Sequence, residues 1–371
     1  MTPRGQAAVE GQINGDGIIE IVRIRSNLPY MCANRMVVLI AILIATVTAA
    51  TSAQSPAFRY FRVGSATNVS PVSPRAGFAL MGGGDDLDEA FRWLCDRADG
   101  GDFLVLRATG DNEYNPYLRK LCHLNSVATL IIPSRTAAGD PVVARTISAA
   151  SAIFIAGGDQ ANYINFWMGT PVQAALNEAI RRGVPIGGTS AGLAVLGEYA
   201  YSAQGDKPDD PNLDSKTALA DPFNSHVTLV QGFLDIPILK NIITDSHFAK
   251  RNRMGRLLVF LARLKKPDCK AKSESTAGVR GIGVDQESAV LVGPDGTASV
   301  VGNGNAWFID ARNADGPLCG PQALTFGPYS LTRITPGRTF NLQTWTGDGS
   351  TYRLSVTNGE LQSTQPGGEI Y

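Results

Sequence analysis

An α/β fold with a mostly parallel sheet covered on both faces is what this 371-residue chain predicts, on three observations. Short apolar runs alternate with stretches of helical spacing. The runs are apolar throughout instead of alternating, the pattern of strands buried on both sides. Several of them end in glycine loops, where the carboxyl ends of parallel strands hold their working residues.

Ala76–Met81 reads as the first core strand, and Gly82-Gly83-Gly84-Asp85-Asp86 as the loop into a helix near Leu87–Ala98. Phe103–Leu106 is the second strand and Ala128–Ile132 the third. A short helix over Val142–Ala150 leads to the strand Ala152–Ile155 and the Gly157-Gly158 loop. Gln173–Arg182 is helical, with Ala175, Leu176 and Ala179 as its apolar stripe and Gly183 as its stop. Strand Val184–Ile186 then delivers Gly188-Thr189-Ser190-Ala191-Gly192, which runs into the helix-compatible Leu193–Leu196. Gln204–Asp221, rich in Asp, Pro, Lys and Ser, is a polar loop, either a cover for a cleft or plain solvated surface. The apolar Ile242-Ile243 strand ends in Asp245-Ser246-His247 and opens into a basic helix from Phe248. Beyond about Gly302, Ser330–Ile334, Arg338–Leu342 and Tyr352–Val356 alternate in period two between turn residues. They form a β-rich C-terminal extension, a small added domain or an edge of the main sheet. The boundaries are residues 1–53 leader, 54–75 N-terminal segment, 76–310 main domain and 311–371 extension.

Charge is balanced, 33 basic against 33 acidic residues, which gives no electrostatic footprint for nucleic acid. Near the N-terminus, Arg35 precedes the apolar Met36–Ala45, and small residues run on to Ala53. That is a secretory signal peptide, cleaved after Ala53, behind a long leader or a start at Met31. The apolar run, Met36–Ala50 at best, is short of the roughly 20 residues of a membrane span, so a secreted or periplasmic protein is expected. Removal takes Cys32 and leaves Cys95, Cys122, Cys269 and Cys319. An even number in an exported chain points to two disulfides, and nearness favours Cys95–Cys122 and Cys269–Cys319. No C-x-x-C or paired histidine spacing suggests a metal. The glycine loops lack dinucleotide or P-loop spacing, so no cofactor is expected.

The chemistry starts at Ser190. G-x-S-x-G between a strand and a helix is a nucleophile elbow: a side chain at either flanking glycine would strike neighbouring backbone. Such a serine needs a base, and the chain has three histidines. His123 sits at a helix end and His226 in a turn. His247 stands at a strand end, where a rigid element aims it at a cleft, so it is the expected base. Backbone N–H groups of Gly158 and Ala191 would hold the oxyanion.

Taken together, Ala156-Gly157-Gly158-Asp159-Gln160, the elbow, Asp245-Ser246-His247-Phe248 with Arg251, Arg253 and Arg256, and Gly281-Ile282-Gly283-Val284-Asp285 resemble the cyanophycinases. These are serine peptidases related to the aspartyl dipeptidases of the peptidase E group. The four motifs follow the family's order over about residues 76–310. The resemblance implies a flavodoxin-like fold of the class I glutamine amidotransferase type and a Ser-His-Glu triad. It implies a peptide or poly-aspartyl-arginine substrate, bound by Gln160, Asp245, Arg251, Arg253 and Arg256, and a homodimer. An arginine fork suits a substrate carboxylate.

Two positions depart from the family pattern. Ser246 stands where glutamine is usual before the histidine, and Gln286 stands where the triad acid is usual, with Glu287 one step later. A glutamine can orient an imidazole but cannot stabilise imidazolium by charge. Strand alternation turns Glu287 with Asp285 and away from Gln286, so either a local shift brings Glu287 to His247 as the catalytic acid, or the third member is the neutral Gln286. A secreted serine peptidase for aspartyl peptides is therefore the leading reading. A catalytically impaired binding protein on the same scaffold, or a serine esterase, is the alternative.

Overall fold

Two mixed sheets, of ten and eight strands, carry an α/β fold. The computed structural model describes residues 57–69, 74–205, 213–267 and 278–371, and Gln54–Tyr371 make one compact unit. The expected signal peptide and its cleavage point lie outside the described residues. No described helix is long and apolar enough to cross a membrane.

The first half of the chain builds the parallel core. It runs β1 (Arg59–Gly64), β2 (Phe78–Met81), α1 (Asp88–Arg97), β3 (Asp102–Arg107), α2 (Tyr114–Leu121), β4 (Ser126–Ile131), α3 (Arg135–Ala138) and α4 (Pro141–Ser148). There follow β5 (Ala152–Ile155), α5 (Gln160–Trp167), α6 (Pro171–Arg181) and β6 (Ile186–Thr189). Strands β4, β3, β5, β6 and β2 lie side by side in that order, all parallel. β2, β4, β5 and β6 are buried at every position, which is why they read as unbroken apolar runs. The helices begin where the sequence marks them. Ser134, Asp140, Asp159 and Thr170 each accept a first-turn N–H, and Pro141 and Pro171 take the first helical position.

The second half moves between sheets. It runs α7 (Ala191–Ala194), β7 (Tyr199–Tyr201), α8 (Ser215–Ala220), β8 (Leu229–Gln231), β9 (Ile242–Asp245), α9 (Met254–Lys265) and β10 (Arg280–Val284). Then come β11 (Ser288–Val292), β12 (Thr297–Gly302), β13 (Ala306–Asp310), β14 (Phe326–Ile334), β15 (Thr339–Asn341), β16 (Thr346–Gly347), β17 (Ser350–Thr357) and β18 (Glu360–Ser363). β9 and β10 pair in parallel in the second sheet. The chain then crosses at Asp285–Glu287, and β11 pairs antiparallel with β2 of the first.

The strands past residue 311 extend existing edges. β15 and β16 continue the first sheet beyond β12, whereas β14, β17 and β18 continue the second beyond β13. Helix α9 is buried over Met254–Ala262 on all its faces, apolar there except for Arg256, whose charge is paired with Asp245. The basic helix expected from Phe248 begins only at Met254, because His247 and Asn252 have positive φ (48° and 49°) and make a turn first. A disulfide joins Cys95 to Cys122, Cα to Cα 6.1 Å. Cys319 is disulfide-bonded as well; its expected partner, Cys269, lies outside the described residues.

Candidate active site

Ser190 leaves the end of β6 at φ 53° and ψ −112°, a sparsely populated conformation that costs about 1–3 kcal/mol unless its surroundings impose it. They do. Ser190 N–H donates to Met81 O at 3.1 Å, and Ala194 N–H donates to Ser190 O at 3.0 Å. A Cβ at Gly188 would stand 2.5 Å from the Gly192 backbone, and one at Gly192 would stand 2.0 Å from Ile155 O. Only glycine fits either place. The helix after the serine is a single turn, so the field at Ser190 comes from individual N–H groups and not from a long macrodipole.

His247 comes from the other sheet, two residues past β9. Its turn is fastened by the backbone: His247 N–H donates to Gly82 O (2.8 Å), Phe248 N–H to Val284 O (3.2 Å) and Arg251 N–H to His247 O (3.0 Å). Ala249 N–H donates to Asp285 Oδ1 at 2.8 Å. The imidazole lies against Gly83, where a Cβ would come within 2.4 Å of Cε1 and 2.6 Å of Nε2. Gly83 is thus the bed of the imidazole, a role the triple glycine did not announce in the sequence.

In this setting Ser190 Oγ is 2.7 Å from His247 Nε2. On the far side of the ring, Nδ1 is 2.6 Å from the Gln286 carboxamide, at its nitrogen. That amide can serve two tautomers. With Nε2 of Gln286 donating to Nδ1, the imidazole proton is on His247 Nε2 and points at the serine. With the amide turned over, Oε1 accepts from Nδ1–H, and His247 Nε2 is free to take the serine proton. Only the second arrangement makes a general base.

Neither neighbouring carboxylate contacts the ring. Asp285, Gln286 and Glu287 form the crossing between the sheets, and Glu287 has φ 52°, so strand alternation does not govern where they point. Glu287 Oε2 accepts from Asn303 Nδ2 at 3.2 Å. Asp285 accepts N–H bonds from Ala249 and Asn305, which builds it into the turn. Burial, with repulsion from Arg251 and Arg253, lowers the His247 pKa to about 4.

Of the residues expected to bind substrate, three instead face one another. Arg256 Nε donates to Asp245 Oδ2 at 2.8 Å and its guanidinium also to Oδ1 at 2.5 Å. Arg253 donates to Asp245 Oδ1 at 3.3 Å and to Ser246 O at 2.8 Å. All three are buried. Burial opposes ionisation of Asp245, but the two guanidinium groups outweigh it and hold its carboxyl below the usual range. This ion cluster underpins the histidine turn. Arg251, by contrast, is exposed, and among the described residues it has no carboxylate partner. Gln160 opens α5, next to its cap Asp159.

The Gly157-Gly158 loop runs beside Ser190: a Cβ at Gly157 would stand 3.6 Å from Ser190 Cβ. Gly158 is exposed at φ +150°. Tyr163 Oη, which nothing in the sequence marked, donates to Ala156 O at 2.8 Å and Gly157 O at 3.2 Å and so sets that loop. Ala191 supplies the first N–H of α7, one of the donors a helix start leaves unpaired within the helix. Among the described residues, no cluster of His, Cys, Asp or Glu is placed to hold a metal ion.

Residues 113–248 match the model of peptidase family S51. The cyanophycinase of Trichormus variabilis is 29% identical over 187 residues, 50% of this chain and 53% of that protein. This chain therefore spans about half the length of the first curated relatives it matches. The cyanophycinase of Synechococcus elongatus is 28% identical over 244 residues, 63% of this chain and 67% of that protein. The crystal structure of a peptidase from an acI-B1 Actinobacterium aligns at 17% identity and a TM-score of 0.45, over 72% of this chain and 97% of that one.

Proposed function

We propose that this chain, a relative of the cyanophycinases with a family S51 peptidase segment, is an exported serine-type peptidase that cleaves aspartyl peptides. The 2.7 Å contact between Ser190 Oγ and His247 Nε2 carries the reading. Ser190 attacks the amide carbonyl as His247 takes its proton, and the Gly158 and Ala191 N–H groups receive the oxyanion. His247 then protonates the leaving amine, and water, activated by the same base, releases the acyl group. Gln286 holds the Nδ1–H tautomer through Oε1 in place of a carboxylate. Arg251 is the cation left to meet a substrate carboxylate, since Arg253 and Arg256 are spent on Asp245. A disulfide between Cys95 and Cys122 suits an oxidising compartment.

The neutral third member favours one second reading, a binding protein on a peptidase scaffold. The two separate cleanly. An organophosphonate should add its mass to Ser190 in the parent and not in Ser190→Ala. Ser190→Ala should also lose at least about 10³-fold of the hydrolytic rate. A parent that neither labels nor cleaves β-aspartyl-arginine polymers, aspartyl dipeptides or simple esters would leave the binding protein standing.

A further inference from the structure

We propose that Tyr371 is a positioning residue for the catalytic histidine. This rests on the peptidase reading and extends it, because it gives the C-terminal β-rich segment a part in catalysis.

The turn from His247 to Met254 is held on its inner side by Gly82, Val284 and Asp285. Its outer half runs into α9, which starts with Arg253 at the N-cap and no side-chain cap of its own. A helix start leaves N–H donors that something else must satisfy. Ser215 and Tyr371, distant in sequence, take that place. Ser215 Oγ accepts from Arg256 N–H at 3.1 Å and donates to Asn252 O. Tyr371 Oη accepts from Met254 N–H at 2.9 Å and donates to Asn252 Oδ1 at 3.0 Å. Asn252, at φ 49°, is the residue where the turn bends into the helix.

The ring of Tyr371 grips the other end of the same turn. It stands edge-on to Phe248 at 6.0 Å and to Trp307 at 5.6 Å between centroids. Phe248 follows His247 directly and is itself seated on β10, where a Cβ at Gly283 would come within 2.6 Å of its ring. The backbone that presents Tyr371 is tied in turn, since Tyr352 Oη donates to Ile370 O at 2.9 Å. One side chain therefore clamps the histidine turn at Phe248 with its ring and at Asn252 and Met254 with its hydroxyl. Displacing a base by about 1 Å can cost on the order of 10²-fold in rate, so the clamp bears on turnover without touching substrate.

The test uses the full chain and three variants: Tyr371→Phe, Tyr371→Ala and, as a control, Tyr329→Phe. Tyr329 is buried in the same layer, and its hydroxyl donates to Leu258 O at 2.9 Å, within α9 but beyond the turn. Each is assayed for kcat, KM, the rate of Ser190 phosphonylation and Tm. Tyr371→Phe should lower kcat and the phosphonylation rate about 5- to 10-fold, and Tyr371→Ala about 30- to 100-fold, with KM within about 2-fold of the parent. Tyr329→Phe should lower Tm while leaving kcat in place. Parent-like kcat and phosphonylation in Tyr371→Phe would overturn the proposal. So would a Tyr329→Phe protein whose activity falls as far as that of Tyr371→Phe at equal Tm. A parent that is not labelled at all sinks the peptidase reading and this one with it, whereas a labelled parent with indifferent Tyr371 variants sinks this one alone.

Discussion

Replacing Gln286 by glutamate tests the site most directly, because it changes one heavy atom beside the base and adds a full charge. The carboxamide lies 2.6 Å from Nδ1, which puts the charge centres of a carboxylate and an imidazolium about 4 Å apart. At an effective dielectric constant of about 20 that pair gains about 4 kcal/mol, before the cost of burying the new charge. A remainder of about 2–3 kcal/mol raises the His247 pKa by about 1.5–2 units. The acid limb of kcat/KM should then move from near 4 to near 6, and kcat should rise about 10-fold or more, because the imidazolium formed in the transition state gains the same support. Stability must follow the same group. His247 is held neutral in the folded state, below the value of 6.5 that it has when free. Its contribution is complete above about pH 6.5 and is lost as pH falls toward 4; the glutamate variant should narrow that window from its acid end. The assay is a pH profile of kcat/KM from about pH 3.5 to 8 for both proteins, with urea melts at the same pH values. An acid limb and a kcat that both stay at the parent's values would refute the assignment of Gln286 as the partner of His247.

Three further outcomes follow from the same geometry. Gly83→Ala should cut Ser190 phosphonylation by about 10²-fold or more, since its Cβ would press on Cε1 at 2.4 Å; full-rate labelling would show that the imidazole needs no such bed. Asp245→Asn leaves Arg253 and Arg256 buried without their anion and should cost about 3–5 kcal/mol in chemical denaturation. A loss under about 1 kcal/mol would mean that the cluster is solvated. Removing the Cys95–Cys122 bridge, which spans 27 residues, should cost about 3–4 kcal/mol by loop entropy, read as a Tm shift between the parent and the double serine variant.

The parallel core was legible because it is covered on both sides. Ala152–Ile155 could be read to the residue from its apolarity alone, and the elbow from its glycines. The second sheet was harder. β7 and β8 have three residues each, and β8 is only partly buried, so neither period nor apolarity marks them; in the first sheet, β1 carries charged residues along an edge. The histidine turn hid for another reason. Positive φ at His247 and Asn252 is set among contacts from Gly82, β10 and Tyr371, and histidine and asparagine mark it only weakly, being enriched at positive φ without being confined to it. The pairing of Arg253 and Arg256 with Asp245 was hidden in the sequence: a buried charge needs a partner, and Arg256 meets Asp245 across 11 residues. Gln286 was visible as the odd residue in the family pattern; that it lies at Nδ1 while Glu287 turns to Asn303 depends on a turn no periodicity describes.

Ser190 belongs to the ten-stranded sheet and His247 to the eight-stranded one, with Gln286 on the strip of chain that crosses between them. The Ser190–His247 contact thus straddles a seam. Thr244 Oγ1 rivets it by donating to Leu193 O at 2.8 Å, and His247 N–H rivets it again at Gly82 O. Under the proposed peptidase reading, turnover is a gauge of how the two sheets are docked. A seam that slackens on warming would part Ser190 from His247 while the strands on either side keep their hydrogen bonds. A ligand that bridges serine and histidine holds the halves shut by mass action.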